Sequence, residues 1–298
     1  ISLGNPRTLP KKQLPSARVL GLLRSVDMKI AFKMFCVLAV TFSLSATAQV
    51  KPAKVALTGG TQVELPVLHA FAPSTGYDDN DPIEVVLTGE LPNGCYEAES
   101  ATAALVTGTN QIHSHLIAYH HTSGDCADES KLPAERKVPQ PVQAIAVVTN
   151  TGTESNTLPA NTYALINVDD AGLVHSRSIK VDVAPTPTVD SLPYVKVSTL
   201  MAPDFLNENQ DLVITIAGTV NSTCAEFDGT MHLLDEGDVL VLLPTVTTKK
   251  NAICMPVRLP WTRTLNLGKK KAGFYLVHVR SQAGRAKNQV VEVLPALA

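Results

Sequence analysis

A chain of 298 residues, 45% hydrophobic and 17% charged, carries enough apolar material for a sizeable core. Its formal net charge of −2 conceals an asymmetry, because residues 49–190 hold 7 basic and 17 acidic side chains whereas residues 191–298 hold 11 and 9. An acidic first half excludes nucleic acid as its partner, since phosphate binding rests on Lys and Arg.

Residues 1–27 are basic and lack an apolar period long enough for a helix, so they read as an over-extended start outside the fold. Residues 28–48, MKIAFKMFCVLAVTFSLSATA, have the succession of a cleavable signal peptide. Lys29 and Lys33 supply the positive region, residues 34–46 the apolar run, and Ala46-Thr47-Ala48 the small residues at a cleavage site. The apolar run is shorter than the ~20 residues a spanning helix needs. Cys36 lies early in that run, away from the small residues, which argues against an acylated lipoprotein cysteine.

Beyond Ala48, short runs rich in Val, Ile, Thr and Leu alternate with Gly, Pro, Asn and Asp, the pattern of an all-β chain. Strands are expected near 53–57, 61–68, 83–88, 94–100, 112–120, 142–149, 161–168 and 174–183. A second series is expected near 194–200, 211–218, 230–234, 238–243, 253–258, 262–266, 273–280 and 288–294. Residues 184–190, APTPTVD, read as a stiff connector, which sets a first domain at 49–184, a linker at 185–193 and a second domain at 194–298.

The two series echo each other. Gly89 precedes Cys95 by six residues and Gly218 precedes Cys224 by six; the next cysteine follows after 31 residues at Cys126 and after 30 at Cys254. Further on, the segment ending in Tyr163 matches the one ending in Tyr275. An internal duplication requires each copy to close its own pair, so the expected disulfides are Cys95–Cys126 and Cys224–Cys254. Loops of this length stabilise by roughly 3–4 kcal/mol each on chain-entropy grounds. The Tyr163 segment departs in spacing: the offset between copies falls from 128 residues at the second cysteine to 112 at the tyrosine, and the polar loop 149–161 is the expected place of the difference.

At residues 159–168 and 272–279 the chain resembles bacterial immunoglobulin-like (Ig-like) domains, whose late strands follow a turn ending in Tyr. The resemblance implies two tandem Ig-like β-sandwich domains, each with one disulfide. It departs from antibody-type domains in its short cysteine spacing and in Trp261, which follows the second cysteine pair member instead of lying between the two.

Residues 112–121, IHSHLIAYHH, form the sharpest local feature. On a regular strand His113, His115, Ile117, Tyr119 and His121 share one face, and His113 and His115 stand about 6–7 Å apart. Two such imidazoles can share Zn²⁺ or Cu²⁺. A closed site needs three or four ligands, and an exposed polar strand face is the simpler reading. The acidic turn Asp78-Asp79-Asn80-Asp81 has oxygens suited to Ca²⁺, but its polar counterpart at residues 207–210 favours a plain turn. Lys249, Lys250, Lys269, Lys270 and Lys271 are candidates for a basic surface patch, or for solvated hairpin tips.

No catalytic motif is present: there is no G-x-S-x-G elbow, no H-E-x-x-H and no phosphate-cradling glycine loop, and the staples absorb the cysteines. The expectation is an exported, non-catalytic binding or structural module with no cofactor, acting in the periplasm or outside the cell. Its expected partner is an envelope or extracellular protein or polysaccharide, and no transmembrane segment remains after signal cleavage. The alternatives are a periplasmic Zn or Cu protein using residues 113–121, and a hydrolase on a sandwich scaffold. N-terminal sequencing of the exported product is expected to begin at Gln49; a start upstream of Met28 refutes the signal-peptide reading.

Overall fold

Period-two alternation dominates the strands, and their pairing sorts them into two β assemblies. The computed structural model describes residues 59–151, 155–169, 171–185, 193–227, 231–250, 253–282 and 285–296. All of them belong to one compact unit, Val55–Ala298. The N-terminal extension, the signal peptide, the strand expected at 53–57 and residues 186–192 of the linker lie outside the described residues.

The chain enters with β1 (Gly60–Leu65), β2 (His69–Phe71), β3 (Tyr77–Asp78), β4 (Glu84–Leu91) and β5 (Tyr96–Leu105). It continues with β6 (Gln111–His121), β7 (Gln140–Asn150), β8 (Asn161–Val168) and β9 (Val174–Asp182). The second half holds β10 (Lys196–Met201), β11 (Phe205–Asn207), β12 (Asp211–Val220), β13 (Ala225–Phe227) and β14 (His232–Asp235). It ends with β15 (Val239–Leu243), β16 (Val246–Thr248), β17 (Leu259–Lys269), β18 (Gly273–Arg280) and β19 (Ala286–Leu294). The chain is thus all-β among the described residues, with three short 3-10 turns between β6 and β7.

In the first half β2, β4 and β7 pair antiparallel, and the other strands run in the order β5, β6, β8, β9, β3, with β1 added to β6. β7 joins the two groups. It follows β4 as far as Val147 and then pairs with β5 from Val148. The second half repeats the scheme as β10-β12-β17 and β14-β15-β18-β19-β11. Even the directions agree: β3 and β9, like β11 and β19, are parallel, and so are β6 with β8 and β15 with β18.

The repeated glycines have a physical reason. A Cβ on Gly89 of β4 would lie 2.9 Å from the Pro66 carbonyl oxygen, and one on Gly218 of β12 only 2.0 Å from that of Lys196. Both glycines admit a neighbouring backbone at the same place in the scheme. The turns at 78–81 and 207–210 match as well: Asp81 accepts the Asp78 N–H through its carboxylate at 3.1 Å, and Gln210 accepts the Asn207 N–H through its amide oxygen at 2.9 Å. Cys95 is bonded to Cys126 and Cys224 to Cys254.

Two expectations need correction. Residues 253–258 form no strand; they run as an exposed segment held at Cys254 by the bond to Cys224 and at Met255, which accepts the Thr223 N–H and donates to the Thr223 hydroxyl. The length difference between the halves is also not confined to the 149–161 loop. Seven residues are saved between β17 and β18 relative to β7 and β8, and nine between Cys254 and β17, where the first half has its 3-10 turns. Nor is the 149–161 loop merely polar, since Leu158 is buried in the first core.

The first core gathers Val85 and Leu87 of β4 with Ile112 and Leu116 of β6, Leu165 of β8 and Ile179 of β9. The second gathers Ile214 and Ile216 of β12 with Leu240 and Leu242 of β15, and Val277 and Val279 of β18. A third cluster joins the halves: Phe71 and Val86 from the first pack on Val239, Val241, Leu243 and Leu276 from the second. β15 and β18 are therefore covered on both faces, which explains the uninterrupted apolar run Val239–Leu243.

The same outer row of β18 carries His278 and Arg280, both about 1% exposed. The Arg280 guanidinium lies 3.9 Å over the Tyr77 ring and donates to the Gly76 carbonyl at 2.7 Å. His278 Nδ1 meets the Asn288 side-chain oxygen at 2.7 Å, and Asn288 donates to Glu84 at 2.6 Å. Burial, reinforced by the Arg280 charge, pulls the His278 imidazole down to about 3. The unfolded chain, with the ordinary value of 6.5, then binds a proton that the folded protein refuses, so stability falls as pH drops below that value. Glu84 opposes in part, because burial raises its carboxyl. Urea unfolding is expected to show a loss of about 2 kcal/mol from His278 between pH 7 and pH 5. A His278→Gln variant should flatten that slope; an unchanged slope refutes the assignment.

Candidate functional site

The histidine strand alternates as expected, with Ile112, Ser114, Leu116 and Ala118 buried and His113 and His115 on the outer face. The structure sends each imidazole to a different partner. His115 Nδ1 lies 2.6 Å from Glu64, and His120 Nε2 lies 2.7 Å from Glu129. His121 Nε2 lies 3.5 Å from Glu97, and His113 Nε2 lies 3.4 Å from the Gln111 side-chain oxygen. Among the described residues no group of three or more His, Cys, Asp or Glu is placed to hold a metal ion. Calorimetry with Zn²⁺ is expected to give at most weak heats that a His113→Ala/His115→Ala variant leaves unchanged. Binding tighter than micromolar that the double variant abolishes would restore the metal reading.

The lysine clusters are not one patch. The Lys249 backbone N–H donates to the Cys224 carbonyl, toward the Val220 end of β12, while Lys269 stands opposite Asp211 in the strand register at the other end. Lys249 is further paired with Glu226 and Lys270 with Asp235.

A different site lies where the halves meet. A cleft of about 470 Å³ is lined by His69 and Phe71 of β2, Asn167 of β8, His175 and Arg177 of β9, and Asp238 ahead of β15. The β8–β9 turn positions one wall. Gly172 adopts φ 77°, a left-handed conformation that closes the turn, and Asp169 accepts the Leu173 N–H at 2.8 Å. His175 shares a face of β9 with Arg177, Ile179 and Val181, so the row that fills the core continues beyond it into the cleft.

The cleft's charges are compensated in place. His175 Nε2 lies 2.8 Å from the Asp169 carboxylate, and this bond, followed by the Leu173 N–H, holds the Asp169 carboxyl below its ordinary value. Arg177 donates to both carboxylate oxygens of Asp238, which ties the halves together across the cleft. His69 is packed against Phe274 and Phe71, with ring centroids at 4.6 and 5.6 Å. Burial lowers the His69 imidazole, the Asp238 charge opposes, and the His175 charge adds to the lowering. His69 is thus neutral at neutral pH. A second depression, of about 380 Å³, lies over β8 and β9 beside the β5–β6 turn and shares Ser176 and Arg177 with the first.

The sequence reading missed all five of these polar residues as a group, because 169 positions separate His69 from Asp238. The one local signal was the alternation of His175 and Arg177 after a tight Asp-rich turn. Comparison of the chain with protein-family models, curated proteins and solved structures finds no match.

Proposed function

We propose that the protein is an exported, non-catalytic binding module of two Ig-like β-sandwich domains that arose by internal duplication. The matching strand order supports the duplication, together with the paired glycines and the side-chain-closed turns. The Ig-like reading gains from Tyr163, third residue of β8, whose hydroxyl donates to the Pro159 carbonyl at 2.7 Å in the manner of a tyrosine corner. Export to an oxidising compartment is supported by the two disulfides. Among the described residues no helix is long and apolar enough to cross a membrane.

The observation that carries the binding function is the cleft at the junction. Its walls come from both halves and are held by the Arg177–Asp238 pair, so its shape is preorganised, which lowers the entropic cost of recognition. The non-catalytic reading draws on His175, the cleft imidazole whose ring nitrogen is paired with the Asp169 carboxylate and so serves to order the wall. Hydrogen exchange of the purified protein in its own envelope extract is expected to slow at residues 68–71, 167–177 and 238. Protection confined to other surfaces, or turnover of ester or glycoside substrates that a His175→Ala variant abolishes, would overturn the proposal.

A further inference from the structure

β9 is paired on one side along its whole length but on the other side only at its end. Its inner neighbour β8 runs antiparallel from Val174 to Val181. Its other neighbour, β3, reaches only Val181 and Asp182, after which the Lys180 N–H still finds the Ser74 carbonyl at 2.8 Å. Backbone groups of alternate residues turn to the same side of a strand. The outward bonds of Lys180 and Asp182 therefore place the N–H and C=O groups of Val174, Ser176 and Ser178 on the same side, where no backbone group among the described residues pairs with them.

The second half shows what this chain does when such an edge is meant to be closed. β19 occupies the equivalent place, paired to β18 throughout and to β11 only at its end. Two of its outward N–H groups are capped by the first half: Val290 donates to the Gln143 side chain at 3.2 Å, and Ala286 donates to the Glu84 carboxylate. One edge is thus capped by side chains at two positions, and the other is left open beside a cleft. The open stretch borders the cleft at His175, Ser176 and Arg177.

We propose that Val174–Ser178 of β9 binds an extended peptide segment of a partner protein by strand addition. This assignment rests on the binding-module reading and deepens it. The ladder groups alternate donor and acceptor at strand spacing, which a peptide backbone matches and a glycan does not. Successive side chains of the added strand point to opposite faces, so one row enters the cleft and the alternate row stays outside it. Because Asp169, Arg177 and Asp238 are already paired, the inner cleft selects uncharged side chains: an ionic one would have to displace an existing partner. A second copy of the chain is the poorer occupant, since the edge is flanked by the Asp238 wall and admits one strand more readily than another sheet.

The test uses a displayed library of random dodecapeptides against the purified protein. Selected peptides should carry uncharged residues at alternate positions and lose binding on N-methylation with a period of two. Ser176→Pro removes one outward N–H while leaving the β8 ladder intact, a substitution that edge strands tolerate. It should weaken peptide binding by about tenfold or more with little change in melting temperature. Ser178→Pro serves as the second variant should the first fail to fold. A library that yields no binder, binding indifferent to both prolines, or self-association that Ser176→Pro abolishes would each overturn the proposal. Envelope-extract protection at the cleft that survives both proline variants would overturn the strand-addition assignment while sparing the binding module; protection elsewhere would remove the module itself.

Discussion

Everything in the architecture depends on one sheet being covered on both faces. Along β18, Val277 and Val279 point into the second core, while Leu276, His278 and Arg280 point at the first half. β15 does the same with Leu240 and Leu242 on one side and Val239, Val241 and Leu243 on the other. Burying an arginine here is tolerable because its charge rests on the Tyr77 ring and the Gly76 carbonyl, and because Glu84 lies in the same region. The two halves therefore meet through an apolar patch with a polar border, as two surfaces of a single core would.

That junction sets the geometry of the rest. It brings Asp238 against Arg177 and Phe274 against His69, so a cleft exists whose walls neither half supplies alone. It also caps one sheet edge and not the corresponding one: Glu84 and Gln143 reach β19, whereas no backbone group among the described residues pairs outward with β9 from Val174 to Ser178. An open edge is an aggregation hazard unless something limits access to it. Here the neighbouring half does so.

Much of the strand pattern was legible in the sequence, because half-buried strands alternate at period two and turn residues mark their ends. β8 and β9 fell within a residue of their expected limits. The short strands β2, β3, β11, β13 and β16 were not anticipated, since two or three residues cannot display a period. Residues 253–258 misled for the opposite reason: ICMPVR is apolar enough for a strand, yet the segment is exposed and tied by Cys254 and Met255 to Cys224 and Thr223. The histidines of β6 were correctly assigned to faces, but their partners Glu64, Glu97 and Glu129 come from elsewhere in the chain, beyond the reach of local spacing.

The sequence by itself determined the all-β class, the recurrence of Gly, Cys and Tyr in two copies, and the scarcity of catalytic motifs. These are properties of periodicity and spacing, which local chemistry dictates. Only the tertiary structure decided that the two halves share an interface, that His69, His175, Arg177 and Asp238 converge, and that the β9 edge stays open among the described residues. Each of these depends on groups more than a hundred residues apart meeting across a packed face, and burial by a distant surface leaves no period in the segments it covers.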